Sequence, residues 1–125
     1  MIPLVSFRNV SYRVGGKDIL RNLNLDIAAG ETLVLLGRSG SGKTTALKMV
    51  NALLRPSEGE VRVGGRAVAK LRHDELFALR RKMGMLFQFG ALFTDMSCYD
   101  NVAFQMREHT DLPEELINDL VLMKL

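Results

Sequence analysis

Two spacings of apolar residues divide the chain. Leu4–Val14 alternates apolar and polar positions, and Leu23–Ile27 sets Leu23, Leu25 and Ile27 on one face. A period of two is that of a half-buried strand. The Gly15-Gly16 pair between these segments signals a hairpin. Ala28–Glu31 reads as a turn. Thr32–Leu36 (TLVLL) and Gly84–Phe87 (GMLF) are short apolar runs of the kind that form strands buried on both faces. From Thr44 the period becomes helical, with Leu47, Val50, Leu53 and Leu54 on one side, so the spacing predicts a helix to Leu54. Arg55–Gly59 ends it in a turn. Glu60–Val63 and Arg66–Val68 read as strands about Gly64-Gly65. His73–Lys82 reads as a short helix with Leu76, Phe77 and Leu79 inward. Asp100–Arg107 and Pro113–Leu125 read as helices, the second with Pro113 near its first turn. Antiparallel strands followed by a strand–helix core predict an α/β fold carrying an antiparallel β subdomain.

Composition narrows this picture only a little. The length suits one domain at most. The net charge of +3 is too small to call for a nucleic-acid partner, which would need a concentrated basic face. Cys98 is the single cysteine, so no internal disulfide can form, in keeping with a reducing compartment. No apolar run approaches the ~18 residues of a membrane span, and Met1–Val5 is too short for a signal peptide. The expected location is the cytoplasm, with membrane contact made through a partner. Glu114–Leu125 is amphipathic to its last residue and lacks a capping glycine, which leads us to expect a fragment of a longer protein.

The chemistry is concentrated in Gly37–Thr44, GRSGSGKT, which matches the phosphate-binding pattern G-x-x-x-x-G-K-[ST]. It lies after an apolar run and before a helix, as the fold requires. Gly37, Gly40 and Gly42 let the backbone take positive φ and approach a ligand. Amides of the loop and first helical turn, from Gly37, Arg38, Ser39, Gly40, Ser41, Gly42, Lys43, Thr44 and Thr45, then converge with the positive end of the helix dipole on one anion. Lys43 adds a full charge for the β- and γ-phosphates, and the Thr44 hydroxyl is placed to coordinate Mg²⁺. The motif predicts nucleotide binding without choosing among ATPase, GTPase and kinase. No D-x-x-G or N-K-x-D pattern accompanies it, so a Ras-like GTPase has no support.

Three further features stand at set distances from the loop: Tyr12 in an upstream strand, Gln88 closing the GMLF run, and Ser57-Glu58-Gly59-Glu60 just after the P-loop helix. With the P-loop they resemble the nucleotide-binding subunit of ABC transporters, over essentially the whole chain but only the first half of such a domain. The resemblance implies that Tyr12 stacks on adenine. It also implies that Gln88 is a Q-loop glutamine, whose amide oxygen joins the Mg²⁺ shell and helps to position the attacking water. Taken alone, Tyr12 also fits an ordinary strand tyrosine and Gln88 a solvated strand end. The resemblance makes ATP and Mg²⁺ the expected ligands.

The run from Leu86 to Phe104, LFQFGALFTDMSCYDNVAF, with Met106–Pro113 after it, resembles more closely the ATPases of bacterial phospholipid-trafficking ABC systems that work with MCE proteins. Lys43–Gly65 also resembles importers of small solutes such as glycine betaine. A soluble ABC-type ATPase is a third alternative. In this family the segment after the Q-loop receives a permease helix. Phe89, Leu92, Phe93, Met96 and Tyr99 suit such an apolar docking surface, or in part the core of a helical subdomain. The resemblance implies a head-to-tail dimer of ATPase subunits, an integral membrane permease and an MCE-type protein as partners, on the inner face of the bacterial inner membrane. The chain contains no LSGGQ-type signature, strand-borne Asp-Glu pair or switch histidine. Family members carry these further along, so the full-length protein is the expected ATPase and these residues alone are not. Lys70, Arg72, Arg80, Arg81 and Lys82 read as a solvated helical face. His73 and His109 lack metal-ligand spacing.

Overall fold

The computed structural model describes all residues except Met1 and Phe87–Phe89, and it divides into two compact units, Met1–Gly84 and Met85–Leu125.

In the first unit β1 (Val5–Val14) and β2 (Lys17–Ile27) form the hairpin, with Val14 opposite Lys17 across the two glycines. β3 (Glu58–Val63) pairs antiparallel on the other side of β1, with Phe7 opposite Val61, and the short β4 (Arg66–Ala67) completes the order β2-β1-β3-β4. Phe7 and Val10 are both buried although they stand three residues apart. A bulge resolves the parity: Asn9 takes φ 52°, the register shifts between Phe7 and Val10, and both side chains reach one face. Gly59 fits against this bulge, where an added Cβ would lie 2.2 Å from the Asn9 carbonyl oxygen.

The core lies between this sheet and α1 (Lys43–Val50), where Ala46 and Met49 pack with Phe7, Val10, Val61, Val63 and Val68. Each large side chain so buried contributes about 1.5–3 kcal/mol. Leu76 and Leu79 of α2 (His73–Arg80) border the same cluster.

The elements depart from the expected ones most at the start of β2, the end of α1 and the two apolar runs. β2 starts at Lys17, well before Leu23, because the hairpin ladder carries the polar stretch Lys17–Asn22 that hides the strand period. α1 stops at Val50 instead of Leu54. Asn51 Oδ1 accepts from the Leu53 amide at 3.2 Å, Ala52 takes φ 63°, and Arg80 donates to the Asn51 and Ala52 carbonyls at 2.9 and 3.4 Å. The two buried strands expected at Thr32–Leu36 and Gly84–Phe87 do not form among the described residues. Thr32–Leu36 and Gly84–Leu86 join no ladder, with Val34 70%, Leu36 89% and Leu86 87% exposed, and Phe87 lies outside the described residues. A strand buried on both faces needs neighbours to take its amides and carbonyls. The four strands described here pair among themselves, and neither run joins an edge of their sheet.

In the second unit α3 (Cys98–His109) and α4 (Glu114–Lys124) form a helical hairpin about Ala103, Ile117 and Val121. α3 begins two residues earlier than expected, because Ser97 Oγ caps it by accepting from the Asp100 amide at 3.0 Å. Arg107 bridges Asp100 and Glu114 at 3.1 and 3.3 Å.

Candidate functional site

The Gly37–Thr44 loop is shaped by its own short-range bonds. Ser41 N–H donates to the Arg38 carbonyl at 3.1 Å, and Ala46 N–H donates to Gly42 at 2.9 Å, which makes Gly42 the N-cap of α1. Gly40 and Gly42 take φ 82° and 96°, where a side chain is strained. The amides of Lys43, Thr44 and Thr45 precede any intrahelical carbonyl. No other carbonyl among the described residues takes them. They therefore stand as a set of donors at the positive end of the helix dipole. The Lys43 ammonium donates to the Gly37 carbonyl, which holds its charge over the same loop. Arg38, Ser39, Ser41 and Thr44 are exposed, while Gly42 is buried and Thr45 half-buried.

The depth of Gly42 is set by β2. A Cβ there would meet Leu20 Cδ2 at 2.7 Å and the Ile19 carbonyl oxygen at 3.0 Å. Leu20 pairs with Tyr12 across the hairpin, so the loop abuts the strand that lies beside Tyr12. Tyr12 itself is half-buried and borders the core cluster. The structure thus brings Tyr12 to the neighbourhood of the P-loop and gives it a packing role as well. Gln88 and Phe89 lie outside the described residues. These observations fit a nucleoside triphosphate: untaken first-turn amides, a loop cation, and an exposed Thr44.

The remaining expected surface divides. Leu92, Phe93 and Met96 are exposed. Phe93 also contacts the Phe104 ring at 4.7 Å, and Tyr99 is half-buried, its hydroxyl donating to Asn118 Oδ1 at 3.0 Å. Asn101, which the sequence did not single out, organises this turn. Its Nδ2 donates to the carbonyls of Phe93, Met96 and Ser97, and its Oδ1 accepts from the Phe93 amide at 2.9 Å. Nothing in the local sequence marks it, since an asparagine inside a helix is ordinary.

The basic residues before the second apolar run are not all solvated as expected. Arg80 is half-buried, its guanidinium bonded to the end of α1 and 5.9 Å above the Phe77 ring. A cation there also answers the negative end of the α1 dipole. Arg66 and Arg72 both hydrogen-bond Glu75, which lowers its carboxyl from 4.5 to about 2.

Residues 20–124 match the ABC transporter family. An intermembrane phospholipid transport system ATP-binding protein of Haemophilus influenzae is 48% identical over 122 residues, covering 98% of this chain and 46% of that protein. A probable ribonucleotide transport ATP-binding protein of Mycobacterium leprae is 42% identical over 121 residues, covering 97% of this chain and 35% of that protein. This chain therefore spans less than half the length of either relative. Among solved structures, a dimeric ATP-binding cassette in a post-hydrolysis state bound to ADP and Pi superposes with a TM-score of 0.82 at 32% identity, over 95% of this chain and 54% of that one.

Proposed function

The chain belongs to the ABC transporter family, and from that premise we propose that it is the P-loop portion of an ATP-hydrolysing motor subunit that drives phospholipid movement. One observation supports the nucleotide reading above others: the first-turn amides of α1, which no carbonyl among the described residues takes, share a loop with the Lys43 ammonium. In this reading the amides of Lys43, Thr44 and Thr45 hold the β-phosphate, and the Lys43 ammonium reaches the β- and γ-phosphates. The Thr44 hydroxyl and the Gln88 amide oxygen would hold Mg²⁺ beside the phosphates. When bound, Mg²⁺ neutralises charge that builds on the phosphates during transfer. Tyr12 takes the adenine ring.

A second ATPase subunit, packed head to tail, completes each site. A permease docks on the exposed apolar side chains between Phe89 and Tyr99, at the inner face of the bacterial inner membrane, with an MCE-type protein beyond it. The phospholipid cargo rests on likeness to the Haemophilus protein.

A titration with fluorescent ATP and Mg²⁺ tests the site. Lys43→Ala should abolish productive binding while the thermal midpoint holds, because Lys43 lies outside the core. Unchanged affinity in that variant would refute the P-loop assignment. The cargo is tested by co-purification from native membranes: a permease carrying phospholipid supports the reading, and one carrying nucleotides refutes it.

A further inference from the structure

At the opposite end of the P-loop helix lies a cavity of about 240 Å³, formed within the first unit by the end of α1, the start of β3 and the 3₁₀ turn Val68–Lys70. Its floor is apolar and firmly packed. Met49, Val61 and Val68 lie beneath it, each at least 96% buried, and apolar surface open to the cavity comes from Leu54, Pro56 and Ala69. Its rim carries three charges, Arg55, Lys70 and Glu60. Glu60 is already neutralised, with its Oε1 2.6 Å from Arg62 Nε. Arg55 and Lys70 have no carboxylate partner among the described residues. The nearby carbonyls at the negative end of α1 would otherwise repel an anion. Those of Asn51 and Ala52 are taken by Arg80.

Size and charge together define the occupant. The volume exceeds the ~150 Å³ apolar cavity that takes benzene. It falls short of the ~300 Å³ at which drug-sized sites begin. A bare phosphate would waste the apolar floor, and a neutral hydrocarbon would leave both cations unanswered. We infer that this cavity is a binding site for a small organic carboxylate, one ring or a short chain in size, with its body against Leu54, Pro56 and Ala69, above Met49, Val61 and Val68, and its carboxylate between Arg55 and Lys70. The inference does not depend on the nucleotide reading, because no residue of the loop Gly37–Thr44 lines the cavity.

Sodium benzoate is the probe and benzyl alcohol its neutral match, each titrated into the whole chain while the methyl signals of Met49, Val61 and Val68 are followed by NMR. Benzoate should shift these signals saturably and bind about five-fold more tightly than benzyl alcohol, the scale of two exposed ion pairs. The double variant R55Q/K70Q, altered only at exposed positions, should bind both probes equally. Lys43→Ala should bind benzoate as the unaltered chain does. The inference is overturned by absence of benzoate binding, by equal affinity for the two probes in the unaltered chain, or by a preference that survives R55Q/K70Q. Loss of binding in Lys43→Ala overturns it as well, since the anion would then be sitting on the P-loop.

Discussion

Replacing Gly42 with alanine tests how the phosphate loop is seated. Two costs arise, and the structure separates them. The first is conformational: φ at Gly42 is 96°, and an L-residue there loses roughly 1–2 kcal/mol. The second is steric. The new Cβ would stand 2.7 Å from Leu20 Cδ2 and 3.0 Å from the Ile19 carbonyl oxygen. The leucine can rotate away, but the carbonyl belongs to β2, which is laddered to β1 along its length. Overpacking of this kind costs about 1–3 kcal/mol. The sum, about 2–5 kcal/mol, is a large share of a small domain's stability of ~5–15 kcal/mol. Gly40→Ala is the control. Its φ of 82° is similar, yet a Cβ there meets nothing within 4 Å, so only the conformational cost of roughly 1–2 kcal/mol applies. Urea unfolding of both variants, with ATP affinity measured alongside, gives the answer. Gly42→Ala should be less stable than Gly40→Ala by about 1–3 kcal/mol, and both should bind ATP more weakly. Equal destabilisation would show that β2 does not seat the loop.

Three further outcomes are expected. Tyr12→Ala should weaken ATP binding by roughly 1–2 kcal/mol, the scale of base–aromatic stacking, and an undiminished affinity in a binding assay leaves Tyr12 with its packing role alone. Arg80→Ala should cost about 1 kcal/mol in thermal unfolding, because a half-exposed guanidinium loses two bonds to carbonyls at the end of α1. A neutral result would mean that solvent serves those carbonyls as well. Glu75 has its carboxyl lowered from 4.5 to about 2, so its bonds to Arg66 and Arg72 stabilise the fold fully above pH 4.5 and are lost as the pH falls through 2. The stability gap between the unaltered chain and Glu75→Gln should therefore narrow between pH 4.5 and pH 2, as followed by circular dichroism, and a gap independent of pH would contradict the assignment.

The parts of the fold that local sequence controls were the parts that could be read from it. The hairpin about Gly15-Gly16, the helix after GRSGSGKT and the two later helices all follow from neighbours along the chain. The end of α1 does not. It depends on Arg80, which reaches Asn51 from 29 residues away, and in the sequence Arg80 looked like one more solvated cation. The start of β2 was obscured because Lys17, Asp18, Arg21 and Asn22 are polar and only the β1 partner makes them a strand. The runs TLVLL and GMLF were read from composition as interior strands. Apolar content states what such a strand would bury, but its hydrogen bonds must come from other segments, and among the described residues neither run pairs with one. The glycine pattern of the P-loop was legible in part: Gly40 and Gly42 take the positive φ expected of them, and Gly37 does not. The seating of Gly42 on Ile19 and Leu20 was not legible, because nothing in either segment refers to the other.

The position of β1 at the centre of the sheet has a consequence in time. The β1–β2 hairpin is complete once Ile27 has been made, and hairpins close in about 1–10 μs. β3, the strand that flanks β1 on its other side, ends only at Val63. At ~5–20 residues per second the ribosome needs roughly 2–7 s to supply it. Through that interval Phe7 and Val10 face water, on a two-stranded ribbon of the sort that is marginal alone. The phosphate loop emerges midway through this wait, and the surface that will seat Gly42 has been made well before it.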